Sequence, residues 1–267
     1  MMNQIKYLAL MLLIEGIFSQ GNFQILNIPP SARLLALSNS GHSINDITNS
    51  YNPASINTNK KNINIHSHFY PANIMYVKTE MILPINETIY SFEYANLNYG
   101  EFKDANTNYS FNSSEFLFKS SIKTQLFNRF SIGGSLGYGI NKISNEFSQA
   151  LFFSLGARTQ MDNPQLGFGI SINNVGTIIQ DFNDTEETLP TSISLSTFYQ
   201  PIYFPGILYC DIYQQKNIDE LQIKLGIAVD INNHLVLRLG NNSNTIDLLD
   251  SYSSYLAGLS GGIGIVS

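Results

Sequence analysis

The chain has 267 residues, enough for one large β domain, and 13% of them are charged, roughly half the share usual in soluble domains. A net charge of −6, a pI near 5.1 and the lack of a basic stripe argue against nucleic acid as a partner. The single cysteine, Cys210, excludes an intrachain disulfide and reads as a small packed residue.

Met1 to Ser19 reads MMNQIKYLALMLLIEGIFS. Lys6 supplies a positive start, Tyr7 to Phe18 an apolar run, and Ser19 or Gln20 a cleavage border. This is the layout of a signal peptide over 1–19. Glu15, deep in the apolar run, leaves an uncleaved amphipathic helix as the alternative. No other segment approaches the ~20 apolar residues of a spanning helix. A β-barrel is then the remaining way to satisfy every backbone polar group inside a membrane.

Residues 20–60 do not alternate. Asn27-Ile28-Pro29-Pro30 is stiff and extended, and Ser31 is placed to cap a short helix through Arg33, Leu34, Leu35 and Leu37 that ends at Asn39-Ser40-Gly41. Ile44 to Tyr51 suits a second short helix, stopped by Asn52-Pro53-Ala54. The expectation is a small helical plug at or inside a barrel, with Ser31, Arg33, Asn52 and Pro53 as its anchoring candidates. Arg33 either pairs with an inward carboxylate such as Glu93 or Glu115, or caps the helix end.

From residue 61 to 267 apolar residues recur at every second position. In Leu221 to Asp230, Leu, Ile, Leu, Ile and Val share one face, and Gln, Lys, Gly, Ala and Asp the other. About twelve strands follow from this pattern: 62–69, 73–82, 87–99, 109–126, 129–142, 149–160, 165–174, 190–201, 205–216, 219–231, 234–241 and 255–266. Several reach the ~9–11 residues of a tilted membrane strand. Short turns at 127–129, 162–164 and 231–234 alternate with longer polar links at 101–108 and 180–189, as in outer-membrane barrels. Phe116, Phe118, Ile122 and Leu126 face lipid in this reading. Glu115, Lys119, Lys123 and Gln125 point inward, where charge costs less. Inward glycines at 133, 137, 139, 167 and 169 leave space or let the wall coil. Tyr99, Tyr109, Phe127, Tyr199, Tyr203, Phe204 and Tyr213, near strand ends, suit aromatic girdles. A soluble secreted β-sandwich alternates too, but strand length and low charge favour the transmembrane antiparallel β-barrel.

Phe23 to Leu37, FQILNIPPSARLLAL, resembles the opening of mature PorV/PorQ-type outer-membrane proteins of the type IX secretion system. Tyr51-Asn52-Pro53-Ala54-Ser55, Leu97 to Phe102, Ile172 to Thr177, Leu189-Pro190 and Arg238-Leu239-Gly240 are similar to further elements of that family, in its order and with PorQ-like spacing. The resemblance implies a fatty-acid-transporter-like barrel, usually of fourteen strands, with a small N-terminal plug. Related members help export proteins or hold them at the cell surface. Ser38-Asn39-Ser40 departs from the family's Gly-rich helix end, which puts the turn geometry in question. The chain also stops at Gly261 to Ser267, where members continue with another hairpin. C-terminal truncation and a twelve-strand closure are the two readings of that ending.

His66 and His68 share a strand face without a carboxylate or thiol beside them, so the expectation is no metal site. Asp181, Asp184, Glu186 and Glu187 lack Ca²⁺-loop spacing. No nucleophile elbow, phosphate loop or HExxH occurs, and neither a catalytic residue nor a cofactor is expected. The main functional expectation is a non-enzymatic barrel of a type IX secretion or surface-attachment apparatus. It would sit in the outer membrane and touch outer-membrane lipid and partner proteins. The alternative is an outer-membrane channel for hydrophobic small molecules, with residues 22–55 as a movable hatch.

Overall fold

The computed structural model describes residues 23–44, 51–103, 110–161, 165–182, 188–216, 218, 220–243 and 258–265. Twelve strands carry most of them: β1 (Asn62–Phe69), β2 (Met75–Ile85), β3 (Thr88–Lys103), β4 (Ser110–Phe127), β5 (Phe130–Ile143), β6 (Glu146–Gln160), β7 (Leu166–Gln180), β8 (Ser192–Tyr199), β9 (Gly206–Gln215), β10 (Gln222–Asn232), β11 (Leu235–Asn242) and β12 (Leu259–Ile265). They form one sheet in sequence order, each pairing antiparallel with the next. β1 and β12 are its two edges, and among the described residues no hydrogen bond closes one onto the other. The one α-helix among the described residues, α1 (Ala32–Ala36), touches β11 and β12 and reaches β1 across that seam.

Alternation decides the two faces. On β2, Tyr76, Lys78, Glu80 and Ile82 are buried while Met81 is exposed. On β10, Gln222 and Lys224 are buried while Ile223 and Leu225 are exposed. Apolar side chains thus point away from the protein along every strand, as on Leu136 (58% exposed), Leu155 (55%) and Leu195 (51%). Burying such a belt in acyl chains is favourable, whereas leaving it in water is not.

Strand bounds differ from the sequence expectation chiefly at β7 and β12. The expected strand ended at 174, where alternation fails: Asn173 and Asn174 are both buried and Asn174 has φ 55°. The register shifts there, and pairing with β6 resumes through Gly176, Thr177 and Ile178. A bulge inserts one residue and flips the inside-outside count. β12 begins at Leu259 rather than 255. The expected helix over 44–51, the turn at 162–164 and most of the acidic loop lie wholly or mainly outside the described residues.

The apolar core lies against the inner face and is completed by residues 23–56. Phe23, Ile25 and Leu26 pack with Tyr76, Leu97, Leu117 and Phe152. Leu37 packs with Phe198, Tyr209, Ala228 and Val236, and Ile56 with Ile82 and Ile89.

Candidate functional site: the inner face and the segment seated on it

Three backbone features shape the N-terminal segment. Gln24–Leu26 forms one 3-10 turn. Ser31 Oγ accepts the Leu34 N–H at 3.3 Å and starts α1, satisfying one of the donors that a helix start leaves open. Pro53–Ser55 forms a second 3-10 turn, capped by Asn52 Oδ1, which accepts the Ala54 N–H at 3.0 Å. After α1 the chain turns with positive φ at Ser38 (50°), Asn39 (60°) and Gly41 (95°). The left-handed conformation that glycine adopts without strain is therefore held here by a serine and an asparagine. Ser38 is held there by Ser260, whose Oγ accepts its N–H at 2.9 Å, and its own hydroxyl donates to the Gly258 carbonyl at 3.1 Å.

Glycines on the inner face make the seats. A Cβ on Gly133 would fall 2.5 Å from the Pro53 carbonyl carbon, and one on Gly156 would strike the Asn52 amide oxygen. On the far wall, a Cβ on Gly240 would strike the Leu37 backbone, and one on Gly262 would come 2.6 Å from Ala36 Cβ. A Cβ on Gly139 would come 2.9 Å from the Phe23 ring. Gly133 and Gly240 thus give room for segment backbone, and Gly139, Gly156 and Gly262 give room for segment side chains.

Polar side chains then fix the segment. Glu115, 2% exposed on β4, accepts the Ile25 N–H at 2.8 Å and the Tyr99 hydroxyl at 2.6 Å. Asp211, fully buried on β9, accepts the N–H groups of Gly41 (2.8 Å) and His42 (3.1 Å). Arg158 on β6 donates from Nε to the Ser43 carbonyl. Asn52, itself fully buried, donates to the Ala157 and Ile170 carbonyls of β6 and β7 at 3.3 and 3.4 Å. The segment is also tied to itself. The Tyr51 hydroxyl lies 3.1 Å from the Asn27 carbonyl and 3.3 Å from that of Ile28. Ser55 Oγ donates to the His42 carbonyl at 2.7 Å, and the His42 ring stacks on Tyr51 at 4.6 Å. Burial, then the nearby Lys224 ammonium, hold the His42 imidazole well below its ordinary pKa. Burial pushes the Tyr51 phenol up.

Of the four anchoring candidates, Ser31 caps α1, Asn52 caps the Pro53–Ser55 turn, and Pro53 sits against Gly133. Arg33 lies in the last turn of α1, as the capping alternative has it, and donates to the Tyr209 hydroxyl at 3.4 Å. Glu115 receives Ile25 and Tyr99 instead, while Glu93 lies 3.2 Å from Lys78 and 3.5 Å from Lys119. Lys78 also lies 3.3 Å from Glu80, so two cations and two carboxylates offset one another on the inner face of β2–β4. Sequence reading missed Arg158, Asp211 and the His42–Tyr51 pair. The signal for the first two was present: each is a charge on an inward position of an alternating strand.

His66 and His68 also lie on the inner side of β1, and His68 packs against Tyr70 and Tyr76. Among the described residues no three His, Cys, Asp or Glu side chains gather as metal ligands. Between segment and wall lies a cavity of about 30 Å³, lined by Ile25, Leu26 and Leu117 on one side and Glu93, Lys119 and Asn174 on the other. That is room for roughly one water.

No family model matches the sequence, and no curated protein matches it. Among solved structures the chain is similar to the toluene transporter TodX of Pseudomonas putida. Two crystal structures of it align at TM-scores of 0.58 and 0.53, with 11% identity over 79% of this chain and 82% of that one. Outer membrane phospholipase A from Escherichia coli aligns at a TM-score of 0.38, with 12% identity over 88% of this chain and 98% of that one, and carries no weight here. The likeness to TodX, the antiparallel wall and the outward apolar belt together make this chain a bacterial outer-membrane protein of β-barrel fold, its wall showing twelve strands in sequence order among the described residues.

Proposed function

We propose that the protein is a channel for hydrophobic small molecules across the outer membrane, with residues 22–55 as a hatch inside a barrel formed by 61–267, after removal of a signal peptide over 1–19. The observation that carries this reading is the segment itself. It lies against the inner face, held there by hydrogen bonds and glycine seats as well as by apolar burial, and its described residues are not among the paired strands of the wall. The fold shared with a toluene transporter supports it, at 11% identity. No catalytic residue is needed: passage down a concentration gradient requires only that the hatch move.

The resemblance of Phe23–Leu37 and Tyr51–Ser55 to PorV/PorQ proteins supports a second reading, a docking barrel of a type IX secretion or surface-attachment apparatus. Deleting the gene separates the two. Loss of hydrophobe uptake with normal surface protein display supports the channel. Normal uptake with lost display, and secretion components co-purifying from solubilised outer membrane, sinks it in favour of the docking barrel.

A further inference from the structure

The hatch reading leaves open what holds the segment and whether it opens piecemeal. We infer that Glu115, Arg158 and Asp211 are three charged latches of one rigid hatch, which is released as a single body. The inference rests on the proposed channel function for its purpose, but not for its test.

Two sets of contacts carry it. The first binds the segment to itself: Tyr51 to Asn27 and Ile28, Ser55 to His42, and His42 stacked on Tyr51. These ties join the start, middle and end of the segment, so its parts cannot separate without breaking buried hydrogen bonds. The second binds the segment to the wall through formal charges at three separate strands. Glu115 on β4 accepts the Ile25 N–H, Arg158 on β6 donates to the Ser43 carbonyl, and Asp211 on β9 accepts the Gly41 and His42 N–H groups. None of the three is more than 5% exposed. Each bonds segment backbone, and Asp211 also lies 3.7 Å from His42 Nδ1. Buried charges of this kind are costly when unsatisfied and strong when bonded. Their bonds favour the shut state, and all are given up together when the body leaves. All three are positioning residues that act through the segment.

The test uses the full chain with Cys210→Ser, carrying one reporter cysteine at Ser55 or, separately, at Leu26. A water-soluble maleimide is added to vesicle-reconstituted protein, and each labelling rate is divided by that of the same thiol in the urea-unfolded chain. Glu115→Gln and Asp211→Asn are each expected to raise labelling roughly tenfold, the worth of weakening one charged hydrogen bond. The rise should be equal at both reporters, and the double variant should approach a hundredfold. Arg158→Gln should behave like either single variant. The charge-keeping variants Glu115→Asp and Asp211→Glu should fall between. Heat-modified gel mobility checks that the wall is folded, and any variant that fails it is replaced by its charge-keeping partner.

Unchanged labelling in a folded variant overturns the latch. A rise confined to the nearer reporter overturns the single body. Uptake of a hydrophobic dye into the same vesicles separates this inference from the function beneath it. Faster labelling with unchanged uptake leaves the latch standing and sinks the channel.

Discussion

Asn52 and Gly156 provide a test of the seat itself. The Asn52 amide oxygen occupies the space where a Cβ on Gly156 would stand, and Pro53 Cδ is 3.1 Å from that point. Gly156→Ala alone forces two atoms into one place, an overpacking that costs about 1–3 kcal/mol. Asn52→Ala alone removes the cap on Ala54 N–H and two bonds to wall carbonyls, a loss of about 2 kcal/mol. With Asn52 truncated, the added methyl meets only Pro53 Cδ at 3.1 Å, a contact that a shift of a few tenths of an ångström relieves, so the double variant should cost little more than Asn52→Ala. The coupling is then about 2 kcal/mol in the favourable direction, where independent effects would add to roughly 4. Labelling of a cysteine at Ser55, fully buried beside the seat, reads the open fraction. Each single variant should raise it roughly 30-fold, and the double variant by about the same factor rather than about a thousandfold. Additivity would show that the glycine serves the wall alone and that the steric account of the seat is wrong.

The belt and the ion-pair network give further tests. Leu225→Arg places a charge on the lipid-facing row of β10 and should cost about 2–4 kcal/mol at mid-belt, read as a lowered urea midpoint in vesicles. The same change in detergent-free water would be neutral if the belt faced solvent. Lys78→Met removes the cation between Glu80 and Glu93 and leaves two buried carboxylates facing each other. It should destabilise the wall by about 3–5 kcal/mol, and Lys78→Met with Glu93→Gln should recover part of that. Acid should loosen the segment. Seated His42, faced by Asp211, Lys224 and Tyr51, resists protonation, whereas a released His42 titrates near its ordinary 6.5. Because the seated pKa is the lower, seating is fully favoured above about pH 6.5 and weakens as pH falls below it. Normalised labelling at the Ser55 reporter should rise from pH 7 to pH 5, and His42→Phe, which keeps the stack, should flatten the slope.

How much of this was legible depends on where the physics is local. Strand and lipid-facing positions were legible because one period-two pattern reports both, and bilayer contact leaves no alternative for Leu221 to Val229. The pattern failed at Asn173-Asn174, where a bulge spends one residue without advancing the alternation. The Ser31 cap was legible too, since it acts within three residues of itself, whereas Asn52, read as the stop of a helix, caps the Pro53–Ser55 turn. The anchors of the segment were not. Arg33 looks for a carboxylate in sequence, but the partner it meets, Tyr209, lies 176 residues away. Glu115 was the right residue with the wrong partner: it accepts a backbone N–H, and every residue but proline carries one, so no side-chain pattern marks it. The inward glycines show the same limit from the other side. Gly133, Gly156 and Gly240 are each unremarkable in their own strands, and only the approach of Pro53, Asn52 and Leu37 gives them a reason. A charge or a glycine on an inward strand position is therefore half of a contact. In a wall whose outer face is committed to lipid, the other half comes either from the wall itself, as for Lys78 with Glu93 or Gly137 with Phe152, or from the segment inside, as for Glu115 and Gly133, and the second kind is where the search for function should begin.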